Sequence, residues 1–142
     1  MRRAAPGCRL ARLALAVAFL AGCTYYPSVL DTGGVRMEPK NGRLVRMDGG
    51  ALCFFDLYST GKYGDRLIAA ESAAAKRADI VAADGTPLGA LVVPGETRID
   101  FRPDGPRVVL RELSQPLAPG DGIIVTLIFQ KAGRIGVITL VE

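Results

Sequence analysis

The chain has 142 residues, 49% of them hydrophobic, with 17 Gly and 9 Pro but no Trp and no His. Its formal charge is +4, but Arg2, Arg3, Arg9 and Arg12 supply the excess; without these four of the 18 basic residues, 14 remain against 14 acidic ones. A balanced chain offers no basic footprint for nucleic acid, and without His base-assisted Ser or Cys catalysis loses its commonest partner.

The four arginines precede an apolar run from Leu13 to Ala21. A membrane-crossing helix needs roughly 20 apolar residues, so this run has the length of a signal core instead. The small-x-small triplet Ala16-Val17-Ala18 lies inside the run, where an ordinary signal would not be cut. Leu20-Ala21-Gly22-Cys23 closes the run and resembles the bacterial lipobox. The expectation is cleavage before Cys23 and lipidation of that cysteine, which anchors the mature chain to a membrane. Cys8 leaves with the signal and Cys23 takes lipid, so Cys53 is alone and no internal disulfide can form. Thr24 stands where an Asp would signal inner-membrane retention. That resemblance implies the outer membrane, facing the periplasm.

The domains expected are a signal at 1–22, a lipidated tether at 23–42 and a folded domain at 43–142. Pro27, Gly33, Gly34 and Pro39 break periodicity in the tether, with Val35-Arg36-Met37 as a short strand. Tyr25 and Tyr26 suit a membrane interface. Beyond it, short strands alternate with turns. Ala51–Ser59 places Cys53, Phe55 and Leu57 on one face and Leu52, Phe54 and Tyr58 on the other, a strand buried on both sides. Arg66–Ala70 is a strand, and Ala73–Arg77 allows one helical turn. Ala78–Ala83 and Leu88–Val93 flank Asp84-Gly85, a hairpin signal. Thr97–Phe101 alternates, Arg107–Leu113 follows a Pro-rich turn, and Ile123–Gln130 with Ile135–Val141 forms a final hairpin. About seven strands without a long helix predict an all-β antiparallel sandwich or barrel.

These residues resemble a family. Ala51–Ser59, Asp65-Arg66-Leu67, Val93-Pro94-Gly95-Glu96, Phe101-Arg102-Pro103-Asp104-Gly105, Val108-Val109-Leu110 and Pro119-Gly120-Asp121 follow the order and spacing of the PCu(A)C periplasmic copper chaperones. That resemblance implies a cupredoxin-like β-sandwich. It also implies a His-x10-Met-x21-His-x-Met set for Cu(I), a soft ion suited to imidazole and thioether. Position by position, the first His falls near Val81, within Ala78-Asp79-Ile80-Val81, and the last His-x-Met on Arg107 and Val109. The hairpin that would carry the middle Met is shorter here and contains no Met.

Met37, Met47 and Cys53 are the soft side chains left for copper, against their ordinary use as core fillers. Asp100 with Asp104, or Asp79 with Asp84, are the carboxylate pairs available for acid–base work, but Asp at turns is expected for local hydrogen bonding. Ser59, Ser72 and Ser114 have no base beside them. Alternation puts Arg107 and Arg111 on one face as a possible cationic edge for an envelope protein partner. The expectation is a non-enzymatic lipoprotein without a resident cofactor, an interaction or accessory module. Copper handling through Met37, Met47 or Cys53 is the second choice.

Overall fold

A computed structural model describes residues 34–142; the signal, Cys23, Thr24, Tyr25 and Tyr26 lie outside the described residues. Nine strands make up this part, and no helix occurs among the described residues. They are β1 (Met37–Met47), β2 (Gly50–Ser59), β3 (Asp65–Glu71), β4 (Ala75–Val81), β5 (Leu91–Val93), β6 (Thr97–Phe101), β7 (Arg107–Leu113), β8 (Gly122–Phe129) and β9 (Gly133–Val141).

The strands pair in the order β4-β7-β2-β1-β9-β8-β3-β5. β7 takes Gly50–Cys53 of β2, and β6 takes Phe55–Ser59 of the same strand. The fold is all-β and cupredoxin-like, with two leaves joined where β1 meets β9. That seam, Gly42–Leu44 on Thr139–Val141, is parallel. Strands this far apart in sequence need no tight hairpin, so a parallel register is open to them.

Period-two alternation builds the core. Cys53, Phe55 and Leu57 of β2, Leu67 of β3, Val108 and Leu110 of β7, and Val125 and Leu127 of β8 are all fully buried. Phe55 stacks on Phe101 of β6 with ring centroids 4.1 Å apart. Each such side chain contributes about 1.5–3 kcal/mol through burial. The outer face of β2 is covered as expected: Phe54 is 3% exposed, under the Arg43 guanidinium.

Three elements differ from expectation. β1 runs through Met37–Met47, across the stretch read as tether, and joins β2 through Asp48-Gly49, with Gly49 at φ 79°. A bulge between Lys40 and Arg43 accommodates the breakers: Asn41 adopts φ 56°, and any Cβ at Gly42 would fall 2.4 Å from the Ile138 carbonyl oxygen. The alanine-rich stretch makes no helical turn: Ala73-Ala74 turn the chain and Ala75–Arg77 are strand, because β4 pairs with β7 and tertiary pairing overrides alanine's helical preference. Asp84-Gly85 does turn the chain, with Gly85 at φ 86°, but the returning segment makes one bridge, Val81 to Pro87, and then crosses to β3 as β5.

Candidate functional site

β4 and β7 pair antiparallel with Val81 opposite Arg107, Asp79 opposite Val109 and Arg77 opposite Arg111. Cross-strand partners share a face, so Val81, Arg107 and Val109 come together here. Val81 is 1% exposed and Val109 5%, forming a closed apolar floor. Arg107 lies beside it and donates from Nη1 to the carbonyls of Ala82 (3.2 Å), Ala83 (3.2 Å) and Gly105 (3.4 Å). One guanidinium therefore ties the β4–β5 turn to the β6–β7 turn. Asp84 caps the first of these, its Oδ1 accepting from the Thr86 amide at 2.9 Å. That bond holds its carboxyl below the usual carboxylate range, with Arg107 adding a smaller effect. Two valine side chains and a guanidinium have no lone pair to give a metal.

Arg107 and Arg111 are both engaged within the domain, not free at a sheet edge. β7 is interior, between β4 and β2. Arg111 Nε donates to Asp79 Oδ2 at 3.1 Å, and Arg77 approaches the same oxygen at 3.6 Å. Arg107 is occupied by the three carbonyls. Surface pairs of this kind contribute little to stability, and the single Asp79 carboxylate is shared by Arg77 and Arg111.

The soft side chains do not meet. Met37 pairs with Ser59 at one end of β1, and Met47 pairs with Gly50 at the other. Ten residues of strand separate them, roughly 30 Å. Met37 is buried in the core and Met47 is 46% exposed. Cys53 is fully buried between Leu44 and Val108, and burial pushes its thiol up to about 12. It is a packed hydrophobe at neutral pH, since the thiolate is the form that binds metal.

The carboxylate pairs also separate into structural roles. Asp100 accepts from Arg98 Nε at 2.5 Å, Asp104 sits in the β6–β7 turn, Asp79 is ion-paired and Asp84 caps its turn. Ser72 donates to the Ile124 carbonyl, and Ser59 is buried without a hydrogen-bond partner. Among the described residues no three His, Cys, Asp or Glu side chains gather as metal ligands do.

Asp56 has a role that the sequence did not suggest. It is 4% exposed on the outer side of β2, where Asn41 Nδ2 donates at 2.8 Å and Arg102 Nη2 at 2.5 Å, with Arg98 Nη2 at 3.5 Å. The Asn41 bond, then Arg102 and Arg98, hold its carboxyl below the usual range against the opposing effect of burial. Asn41 reaches it only because the β1 bulge turns that residue, and no local pattern encodes that.

The family model described as "Putative lipoprotein LpqE-like" matches residues 30–141. Among solved structures, the copper-bound PCuAC domain from PmoF2 is 26% identical with a TM-score of 0.66, covering 78% of this chain and 93% of its own. The apo PCuAC domain from PmoF1 is 23% identical with a TM-score of 0.68, covering 75% and 92%. The solution structure of Cu(I)-DR1885 from Deinococcus radiodurans is 18% identical with a TM-score of 0.61, covering 89% and 85%. At those identities the last two speak for the fold alone. No curated protein matches the chain.

Proposed function

The chain belongs to the LpqE-like lipoprotein family and has a PCuAC-like domain, and from that premise we propose a membrane-anchored envelope lipoprotein whose domain has given up the family's copper ligands. It is a non-catalytic interaction or accessory module, held by lipid on Cys23 at the outer membrane and facing the periplasm.

The observation that carries this reading is Arg107. A relative with this fold is copper-bound, and the resemblance to the copper chaperones puts the family's ligand positions at or near Val81, Arg107 and Val109, which lie together on the β4–β7 pair. The Arg107 guanidinium bridges two turns, a task that needs no metal. The chain has no His to supply an imidazole elsewhere, and Met37, Met47 and Cys53 are too far apart to replace the set. A tethered domain without metal donors is poorly suited to carrying copper between partners.

Two experiments address the two halves of the reading. Labelled palmitate should enter the protein and be lost in Cys23→Ala; incorporation that survives that change would remove the anchor. Affinity capture of the lipidated protein from envelope membranes should recover a specific partner, and recovery of none would count against an accessory role.

A further inference from the structure

The chain enters the domain beside the loop that follows β2. The Tyr63 amide donates to the Gly34 carbonyl at 2.7 Å and the Thr60 amide to the Arg36 carbonyl at 3.0 Å. The β5–β6 turn joins them through the Glu96 amide on the Gly61 carbonyl, and the β8–β9 turn lies alongside through the Gln130 amide on the Arg66 carbonyl. Four segments therefore meet at one end of the domain.

That end is positive in an otherwise balanced chain. Lys62, Arg66 and Lys131 are exposed, and none forms an ion pair with a described carboxylate. Asp65 lies beneath them, 4% exposed, its carboxylate accepting the backbone amides of Arg66, Lys131 and Ala132, so three cations face two carboxylates at this end, Asp65 and Glu96. Glu96 is the exposed carboxylate of the adjacent turn. Tyr63, 58% exposed, and Val92, 60% exposed, stand among these cations, with the Lys62 ammonium 5.7 Å from the Tyr63 ring centre. A hollow of about 260 Å³ opens between Arg66, Val92, Pro94 and Lys131. Unpaired cations around an amphipathic ring and an apolar side chain match the chemistry of an anionic bilayer surface.

Position supports the same match. Eleven residues of backbone from Cys23 to Gly34 reach at most roughly 40 Å, so a lipid on Cys23 keeps this end, where the chain enters, within that distance of the bilayer. The other exposed apolar patch, Ile124, Ile138 and Leu140 on β8 and β9, has a different setting. Its neighbouring cations are already paired, Arg43 with Glu142 and Arg134 with Glu71.

We infer that this end of the domain docks on the anionic phospholipid surface, with Lys62, Arg66 and Lys131 on headgroup phosphates and Tyr63 and Val92 at the interface. The inference rests on lipidation of Cys23. Docking fixes which faces of the sandwich point into the periplasm, leaving the β4–β7 face clear of the membrane.

The chain lacks Trp, so Tyr63→Trp supplies a single fluorophore, and Val92→Trp supplies a second reporter should the first disturb its loop. The lipidated full-length mature protein carrying either change is reconstituted into vesicles of phosphatidylcholine, alone or with phosphatidylglycerol, after its acyl mass is verified. An unacylated product refutes the anchor itself, independently of docking. With acylated protein, blue-shifted emission and quenching by brominated lipid are expected in the anionic vesicles and should weaken with salt. Lys62→Ala and Lys131→Ala should each lower the docking equilibrium about fivefold without changing acylation. Emission indifferent to phosphatidylglycerol would overturn the inference. So would stronger quenching at Ile138→Trp, which would put the β8–β9 face on the membrane. A Tyr63→Trp response confined to native envelope membranes, and absent from protein-free vesicles, would assign this end to a protein instead.

Discussion

Arg107→Ala isolates the contact on which the functional reading depends. The change removes three hydrogen bonds to the carbonyls of Ala82, Ala83 and Gly105, at 3.2, 3.2 and 3.4 Å. A hydrogen bond from a charged donor contributes about 1.5–3 kcal/mol at good geometry. These are long, and Arg107 is only half-buried, so their sum falls near the lower end, about 1.5 kcal/mol. In a domain of this size that loss lowers the melting temperature by roughly 6 °C. Urea unfolding gives the free energy, and amide exchange gives the location. The amides of Ala82 and Gly85, which close the turn through the Thr86 and Ala82 carbonyls, should exchange faster in the variant. Arg107→Lys should recover part of the loss, since all three contacts come from the one nitrogen Nη1 and an ammonium supplies charged donors on a shorter stem without the rigid guanidinium plane that sets their direction. A stability within about 0.5 kcal/mol of the native chain, the usual range for a surface change, together with unchanged exchange at Ala82 and Gly85, would refute the idea that the guanidinium clasps the turns.

Two further outcomes test the polar and apolar interior. Asp56→Asn should cost about 2 kcal/mol at neutral pH, below the 3–5 kcal/mol of a fully buried broken pair because Arg98 and Arg102 are partly exposed. The folded-state pKa of Asp56 is depressed, so its stabilisation is full above the unfolded value of about 3.9 and is lost as pH falls through the folded value. The gap between native and variant chains, followed by urea unfolding, should therefore close in acid; a gap constant down to low pH contradicts the assignment. Cys53, fully buried with its thiol pushed up to about 12, should resist iodoacetamide at neutral pH in the folded protein and react once urea unfolds it. Rapid native-state labelling would return Cys53 to the set of accessible metal ligands.

Much of the sheet is legible in the sequence because its strands carry their burial in their own alternation. Cys53, Phe55 and Leu57 point inward as spacing requires, and Ile123–Gln130 folds back on Ile135–Val141 with its inward residues buried. β1 is hidden because Pro39, Asn41 and Gly42 look like breakers, and only the bulge against β2 and β9 accommodates them. The start of β4 is hidden because Ala75-Lys76-Arg77 has no strand signature until β7 lies beside it, whereas Ala78–Val81 reads as strand. Val81, Arg107 and Val109 are singled out in the sequence only through the resemblance to the copper chaperones, and the β4–β7 register is what brings them together. The acceptors of Arg107 do not: backbone carbonyls leave no mark on a sequence, so the same arginine reads as a free cation until the turns are placed. Asp56 is missed for the related reason that its partners lie on β1 and in the β6–β7 connection.

Competition for Cu(I) between a chromophoric chelator and the purified mature protein tests the central claim most directly, with Val81→His, Arg107→His and Val109→Met combined as the comparison chain. The native chain is expected to leave the chelator its copper. The substituted chain should withdraw some, because Val81 and Arg107 are cross-strand partners and Val109 lies two residues along the same face. Tight one-to-one binding by the native chain would contradict the account.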